Sequence, residues 1–177
     1  MTLVTAELKE GIQQLFEKLS YPEDPAASMG PTVATAKMTG PQSSEERWPN
    51  FTVITDEPRS VAGGDTAPPP SSIFVASIGF AENVIFARQA ALHGIDFDSL
   101  ESKVEAQWDR KGMFGIRDAD PAITDVLIET RIETKAEAKR VAELVQLTGR
   151  RSPMTATVAK AAKVRRKLFV NGVETLV

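Results

Sequence analysis

The sequence contains no cysteine among its 177 residues. This absence excludes disulfide bonds, thiolate metal sites and any mechanism that needs a cysteine nucleophile. Histidine occurs once, and His93 does not share a spacing pattern with other metal ligands. We therefore predict neither a metal site nor a cofactor.

An excess of one charge is also missing. The 21 basic and 24 acidic residues give a net charge of -3, so composition provides no general attraction to nucleic acid or to an anionic membrane. The most apolar stretch, 71–93, is interrupted by Glu82, Asn83, Arg88 and Gln89, which breaks the run of about 20 apolar residues that a transmembrane helix needs. Without a basic-then-apolar leader, we expect a cytoplasmic, unprocessed chain with no membrane partner.

The remaining composition, 42% hydrophobic and 25% charged, is typical of a soluble globular protein. We predict a domain over residues 32–177, preceded by an accessory helix and a proline-containing linker in residues 1–31. Residues 5–20 read as an amphipathic helix, which we expect to lie over the core or over a partner subunit. Its apolar stripe consists of Leu8, Ile12, Leu15, Phe16 and Leu19.

A long helix over 71–93 is the strongest pattern in the chain. Pro68–Pro70 cannot continue a helix backwards, Ser71 and Ser72 can cap its first turn, and Gly94 suits a left-handed C-cap. Because the helix is apolar over most of its circumference, it must be buried on several sides. We therefore predict that it forms the core of the fold and lies near the two-fold axis of a stable homodimer.

Strand patterns flank this helix. Residues 32–38 and 48–56 carry rough apolar alternation and predict a hairpin, with residues 40–46 as its polar turn. Residues 100–108 and 122–134 are the next two predicted strands, and the segment between them reads as loop.

The C-terminal third mixes helices with a hairpin. Thr134 and Glu137 have the spacing of a capping box, which predicts a helix that Gly149 ends. Ser152-Pro153 predicts the start of a second, shorter helix. Asn171-Gly172 predicts a tight turn between two terminal strands. This element order indicates an α+β fold with mixed antiparallel sheets around the long helix.

Four ordered segments between about residues 52 and 170 carry a resemblance to a known family. They read DEP…GGDTAPPPSSIFVASIG, HGIDFDSLE, RKGMFGI and RRSPMTAT. Together they resemble the osmotically inducible protein C / organic hydroperoxide resistance (OsmC/Ohr) family, in its extended, OsmC-like branch. The resemblance implies an intertwined α+β homodimer whose central helices pack together, with active sites at the subunit interface and a link to the oxidative stress response.

The resemblance also implies chemistry that this sequence cannot perform. In catalytic members, a cysteine on the central helix attacks the peroxide, and a second cysteine, followed by proline, resolves the sulfenic acid as a disulfide. The corresponding positions here are Ala81 and Ser152, and the family's carboxylate after the helix-leading proline corresponds to Ser71. Neither alanine nor serine can pass through a sulfenic acid. We therefore expect no thiol peroxidase activity and assign no catalytic residue.

The residues around these vacated positions form a candidate pocket. Glu82 could hold a ligand or act as a general acid or base; alternatively it is partly exposed, or pairs with an arginine such as Arg88 or one from a partner subunit. Arg47 or Arg59 could supply the arginine that the family directs at the peroxide; alternatively both are solvated loop residues, which we favour for Arg59. The candidate pocket comprises Arg47, Phe74, Ile78, Phe80, Ala81, Glu82, Phe86 and Ser152.

The C-terminal quarter is locally basic. Aromatic residues for base stacking are scarce there, which favours a solvated outer face over a nucleic-acid site. The residues concerned are Arg150, Arg151, Lys160, Lys163, Arg165, Arg166 and Lys167.

Three functions from different classes are compatible with these patterns. The first, which we favour, is a dimeric OsmC-like protein that binds a small apolar or thiol-containing molecule at its interface. The second is an enzyme of another reaction type that uses Glu82, Arg47 or Ser152. The third is a regulatory subunit of a cysteine-bearing paralogue.

Overall fold

The computed structural model describes residues 2–20 and 30–177, so most of the predicted linker lies outside the described residues. The chain divides into a larger unit, Met1–Lys18 with Ser77–Val177, and a smaller unit, Leu19–Ala76. The helices are α1 Ala6–Ser20, α2 Pro70–His93, α3 Arg110–Met113, α4 Ala138–Arg151 and α5 Pro153–Val158, with a 3-10 turn at Arg59–Val61. The strands are β1 Ala36–Met38, β2 Ser43–Trp48, β3 Phe51–Asp56, β4 Ser99–Gln107, β5 Asp125–Glu133, β6 Lys163–Val170 and β7 Val173–Thr175.

The smaller unit contains an antiparallel sheet in the order β1-β2-β3. Its central strand, Ser43–Trp48, pairs with β1 on one side and with β3 on the other. The predicted polar turn at 40–46 is therefore wrong. The polar sequence SSEERW shows no apolar alternation, and main-chain pairing on both sides makes it a strand.

A carboxylate organises the loop that follows β3. Asp56 accepts hydrogen bonds from the hydroxyl of Thr66 (2.8 Å) and from the backbone N–H groups of Glu57, Gly64 and Thr66 (2.9–3.2 Å). The Thr66 hydroxyl, followed by these amides, lowers the pKa of Asp56 below its ordinary value. A Cβ at Gly63 would lie 1.8 Å from the carbonyl oxygen of Glu57, so the loop requires glycine there.

The central helix α2 is confirmed. It begins at Pro70, one residue before the serines that were predicted to cap it. Gly94 has a φ of 63°, and the N–H of Ile95 donates to the carbonyl of Ala90 (2.9 Å), as in a Schellman motif. By length and hydropathy alone α2 could cross a membrane. Its stripe of Ile78, Gly79, Glu82, Phe86 and Ala90 is buried, and it is a core helix.

The larger unit contains a four-stranded sheet in the order β4-β5-β6-β7. Strands β5 and β6 are parallel, and the other two pairs are antiparallel. Two parallel neighbouring strands must be joined by a crossover connection. Helices α4 and α5 form that connection between β5 and β6. Phe86 of α2 packs edge-on against Phe97 (centroids 5.3 Å apart) in the main hydrophobic core.

Two details of α4 differ from the sequence prediction. The predicted capping box is absent: the hydroxyl of Thr134 donates to the carbonyl of Asp96, and the side chain of Glu137 makes no capping hydrogen bond. Gly149 does not end the helix, which continues to Arg151. The predicted strands β4 and β5 and the α+β class are confirmed.

The predictions for the last segments are confirmed. Pro153 occupies the first turn of α5, and Ser152 is its N-cap. Asn171 (φ 49°) and Gly172 (φ 78°) form the left-handed turn between β6 and β7. At the other end of the chain, α1 follows Val4, which lies in the main core. Its role as an accessory element stays a prediction, as does the boundary at residue 31.

Candidate functional site

The centre of the candidate site is an ion pair inside the larger unit. Two nitrogens of Arg166 donate to the two carboxylate oxygens of Glu82, Nη1 to Oε2 at 2.7 Å and Nη2 to Oε1 at 3.1 Å. Their side chains are 14% and 4% exposed. The two-point geometry fits the planar guanidinium to the carboxylate and satisfies both buried charges.

The start of α5 completes this cluster. The hydroxyl of Thr155 donates to Oε1 of Glu82 at 2.5 Å. Ser152, which is fully buried, accepts a hydrogen bond from the N–H of Thr155 (3.3 Å). The position that the family resemblance assigns to the resolving cysteine is therefore linked to Glu82 through one residue, Thr155.

A glycine makes room for the arginine. A Cβ at Gly149 would lie 2.1 Å from Nη2 of Arg166 and 2.8 Å from its Cζ. The guanidinium therefore passes over α4 at the one residue whose side chain is absent. This contact explains why Gly149 occurs inside a helix, where it costs about 1 kcal/mol relative to alanine.

Arg166 was the residue that sequence reasoning missed. It was grouped with the basic residues of a solvated outer face, and that assignment is wrong for Arg166. Glu82 is buried rather than partly exposed, and Arg88, one of the partners suggested for it, is exposed. A usable signal was present: Arg166 is in phase with Val164, Leu168 and Val170, which lie on the inner face of β6.

The predicted pocket residues on α2 lie on different faces of the helix. Ile78, Glu82 and Phe86 belong to the buried stripe, and Ala81 is half-buried. Phe80 is 68% exposed and Phe74 is also exposed. Glu82 and Phe86 line a shared narrow crevice that leaves no room for a water molecule.

Four residues of the sequence-based site prediction belong to the smaller unit: Arg47, Arg59, Ser71 and Phe74. Arg47 is exposed on β2 and pairs with Glu45 through two hydrogen bonds of 2.8 and 2.9 Å. This pairing raises the pKa of Arg47, chiefly through the hydrogen bond to Glu45. Arg59 lies in the exposed 3-10 turn, and Ser71 in the exposed first turn of α2.

The chemistry available at this site follows from the bonding of Glu82. Both carboxylate oxygens are occupied by Arg166, and one also accepts from Thr155. A general acid or base must reach a substrate proton, and Glu82 reaches only these partners. The cluster therefore joins α2, α5 and β6.

A family model for "OsmC-like protein" matches residues 63–167, more than half of the chain. No curated protein sequence matches the chain.

Three solved structures share its fold. An OsmC-like protein from Mycoplasma pneumoniae has a TM-score of 0.70 and 14% identity, and the match covers 80% of this chain and 97% of that one. An organic hydroperoxide resistance protein OsmC from Legionella pneumophila has a TM-score of 0.63 and 15% identity, and the match covers 80% of this chain and 100% of that one. A candidate organic hydroperoxide resistance protein from Vibrio cholerae, with captopril bound in one of the active sites, has a TM-score of 0.58 and 12% identity. That match covers 83% of this chain and 96% of the other.

At these identities the structures show the fold alone, whereas the family model matches the sequence itself. The chain belongs to the OsmC-like protein family.

Proposed function

We propose that this chain is a homodimeric OsmC-like protein that binds a small apolar or thiol-containing molecule at its subunit interface and does not act as a cysteine peroxidase. The observation that carries the proposal is the buried Glu82–Arg166 pair beside Ala81. Where the resemblance implies a reactive thiol, this protein has Ala81, and the carboxylate of the adjacent Glu82 is fully paired. The predicted cytoplasmic location belongs to the same proposal.

Chemistry supports the loss of peroxidase activity. Reduction of a hydroperoxide by this family requires a sulfur that accepts oxygen and a second thiol that regenerates it. The chain has no cysteine. The saturated bonding of Glu82 also argues against an enzyme that recruits this carboxylate as its acid or base.

The smaller unit supports the dimer. Among its described residues only Asp56 is buried, so its sheet has no hydrophobic core of its own. A small sheet gains stability when its apolar face packs against a helix or another surface. Central helix α2 also leaves Phe80 and Val84 exposed, 68% and 50% respectively. We propose that a second copy covers both surfaces, with the α2 helices near the two-fold axis.

The ligand part of the proposal rests on the exposed apolar side chains around Ala81. Phe74 and Phe80 provide aromatic surface on α2 next to the vacated position. The Vibrio cholerae relative holds captopril in an active site, so a site of this fold can accept a small molecule. Of the predicted lining residues, Phe74, Phe80 and the half-buried Ala81 expose surface to a ligand, whereas Ile78, Glu82, Phe86 and Ser152 are buried.

Two measurements test the proposal. Purified protein should consume cumene hydroperoxide with dithiothreitol no faster than buffer does, and turnover above that rate would refute the non-peroxidatic role. Captopril should bind in calorimetry, and Ala81→Trp, which fills the proposed site, should abolish that binding while the variant remains folded. Unchanged binding to Ala81→Trp would place the ligand elsewhere.

A further inference from the structure

A groove with an apolar floor lies between the C-terminal end of α2 and helix α4. The floor consists of Ile95, which is 3% exposed, Leu144, which is 2% exposed, and the partly buried Leu147. Both leucines share one side of α4 with Arg140 and Arg150, because these four residues follow one another at intervals of three or four. The cavity has a volume of about 270 Å³. We call it the α2–α4 groove.

The two arginines of the groove differ in how far their charges are compensated. Nη2 of Arg140 donates to the carbonyl oxygen of His93 (3.0 Å), at the partly negative C-terminal end of α2. Glu143 lines the groove close to Arg140 in sequence. Arg150 lies at the other end of the floor, since α4 rises about 10 Å from Glu143 to Arg150. Within the part of the chain that the structure describes, Arg150 forms no ion pair.

The Arg150 end of the groove therefore carries a positive charge. Arg150 and Arg151 both belong to the last turn of α4. The C-terminal end of a helix carries about half a negative charge, which is less than the two full charges of these arginines. The groove thus combines apolar surface with an uncompensated cation, and a ligand that satisfies both must be an amphipathic anion.

This groove is separate from the interface site proposed above. His93, which borders the groove, follows Ala81 by 12 residues on α2. That separation corresponds to about 18 Å along the helix axis. The residues that line the groove do not include Glu82, Arg166 or Thr155, so a ligand here would leave the polar cluster untouched.

We propose that the α2–α4 groove binds an amphipathic monocarboxylate, with the carboxylate on Arg150 and the apolar body on Leu147, Leu144 and Ile95. The planar guanidinium matches a carboxylate in two-point geometry. A water-sized group occupies about 30 Å³, so 270 Å³ accommodates about nine such groups, which fits an apolar body of about eight to ten carbons. A neutral apolar molecule would leave Arg150 without a partner, and a small inorganic anion would leave the floor uncovered.

Calorimetry with octanoate as the probe tests the site. Octanoate is ionised at neutral pH, because carboxylic acids titrate near about pH 4. It should bind the wild-type protein, whereas octanol, which lacks the charge, and acetate, which lacks the apolar chain, should each bind about ten-fold more weakly or less. Failure of octanoate to bind, or equal affinity for octanol or acetate, would overturn the proposal.

Neighbouring arginines provide matched variants. Arg150→Gln removes the partner of the carboxylate and should raise the dissociation constant of octanoate about ten-fold or more. Arg151→Gln makes the same charge change one residue further along, outside the groove, and should change that constant less than about two-fold. Leu147→Gln keeps both arginines but makes the floor polar, and it should also weaken binding if Arg150→Gln fails to fold. Equal effects of the two arginine variants would refute the assigned headgroup position.

The interface site supplies the remaining control. Ala81→Trp, which should abolish captopril binding, should leave octanoate binding unchanged, and octanoate should shift the amide NMR resonances of Ile95 and Leu147. Octanoate binding that depends on Ala81 and not on Arg150 would overturn the groove while leaving the interface site intact. Octanoate binding without captopril binding would overturn the interface ligand and leave the groove intact.

Discussion

Arg166→Met should be among the most destabilising single substitutions in this protein. The change removes the cation but leaves the carboxylate of Glu82, only 4% exposed, without its main partner. Breaking a buried ion pair by removing one partner costs about 3–5 kcal/mol. For a chain of this length that corresponds to a fall in melting temperature of roughly 6–20 °C.

The neighbouring residue provides a matched control. Arg165 is on the same strand but faces outward, with a side chain 45% exposed and paired with Asp125. An exposed pair of this kind contributes about 0–1 kcal/mol. Arg165→Met should therefore cost little. Urea unfolding at one fixed protein concentration measures both variants, since the stability of the proposed dimer would depend on concentration.

A double-mutant cycle completes the test. Glu82→Leu together with Arg166→Met removes both charges, and replacement of a buried pair by apolar side chains is often neutral. The double variant should be more stable than Arg166→Met alone, although Thr155 then loses the acceptor of its hydroxyl. Equal losses from Arg165→Met and Arg166→Met, or additive losses in the cycle, would refute the pairing.

Three further predictions concern other parts of the structure. Gly149→Ala should destabilise the protein by about 1–3 kcal/mol through overpacking against Arg166. The same change should become stabilising in the Arg166→Met background. Urea unfolding with and without Gly149→Ala, in the wild type and in Arg166→Met, measures whether the change in unfolding free energy reverses its sign. The pKa of Asp56 is lowered in the folded state, so its stabilising contribution is complete above its ordinary value and is lost on acidification below about pH 4. The hydrogen-exchange protection factors of the Gly64 and Thr66 amides should therefore fall below that pH, and Asp56→Asn should remove that pH dependence. Ser152→Ala should cost about 1 kcal/mol through loss of the α5 cap, whereas Ser71→Ala, in an exposed first turn, should change the unfolding free energy by less than about 0.5 kcal/mol.

Much of the architecture could be predicted from local sequence. The prolines before α2, Gly94 after it, Ser152-Pro153 and Asn171-Gly172 each impose a backbone conformation through their own covalent structure or a neighbouring hydrogen bond. These conformations do not depend on distant parts of the chain, and the structure has the helix ends and the turn at the predicted positions. The family resemblance likewise rested on residues that can be read in order, and the family model confirms it.

The errors occurred where distant contacts outweighed local preference. Ser43–Trp48 is polar and was predicted as a turn, but pairing with strands on both sides makes it the centre of a sheet. Gly149 was predicted to end α4, but it stays helical and leaves the space that Arg166 occupies. In both cases the deciding atoms belong to other elements of the chain.

The same distinction between local sequence and distant contacts applies to the candidate site. The sequence by itself determined that no thiol chemistry is available, because that conclusion depends on composition and on Ala81 and Ser152. It could not determine what Glu82 contacts, since Arg166 is 84 residues away and Thr155 is 73 residues away. Only the tertiary structure decided that pairing, because a buried carboxylate is stabilised by whichever cation the folded chain brings within hydrogen-bond distance, and sequence separation does not limit that choice.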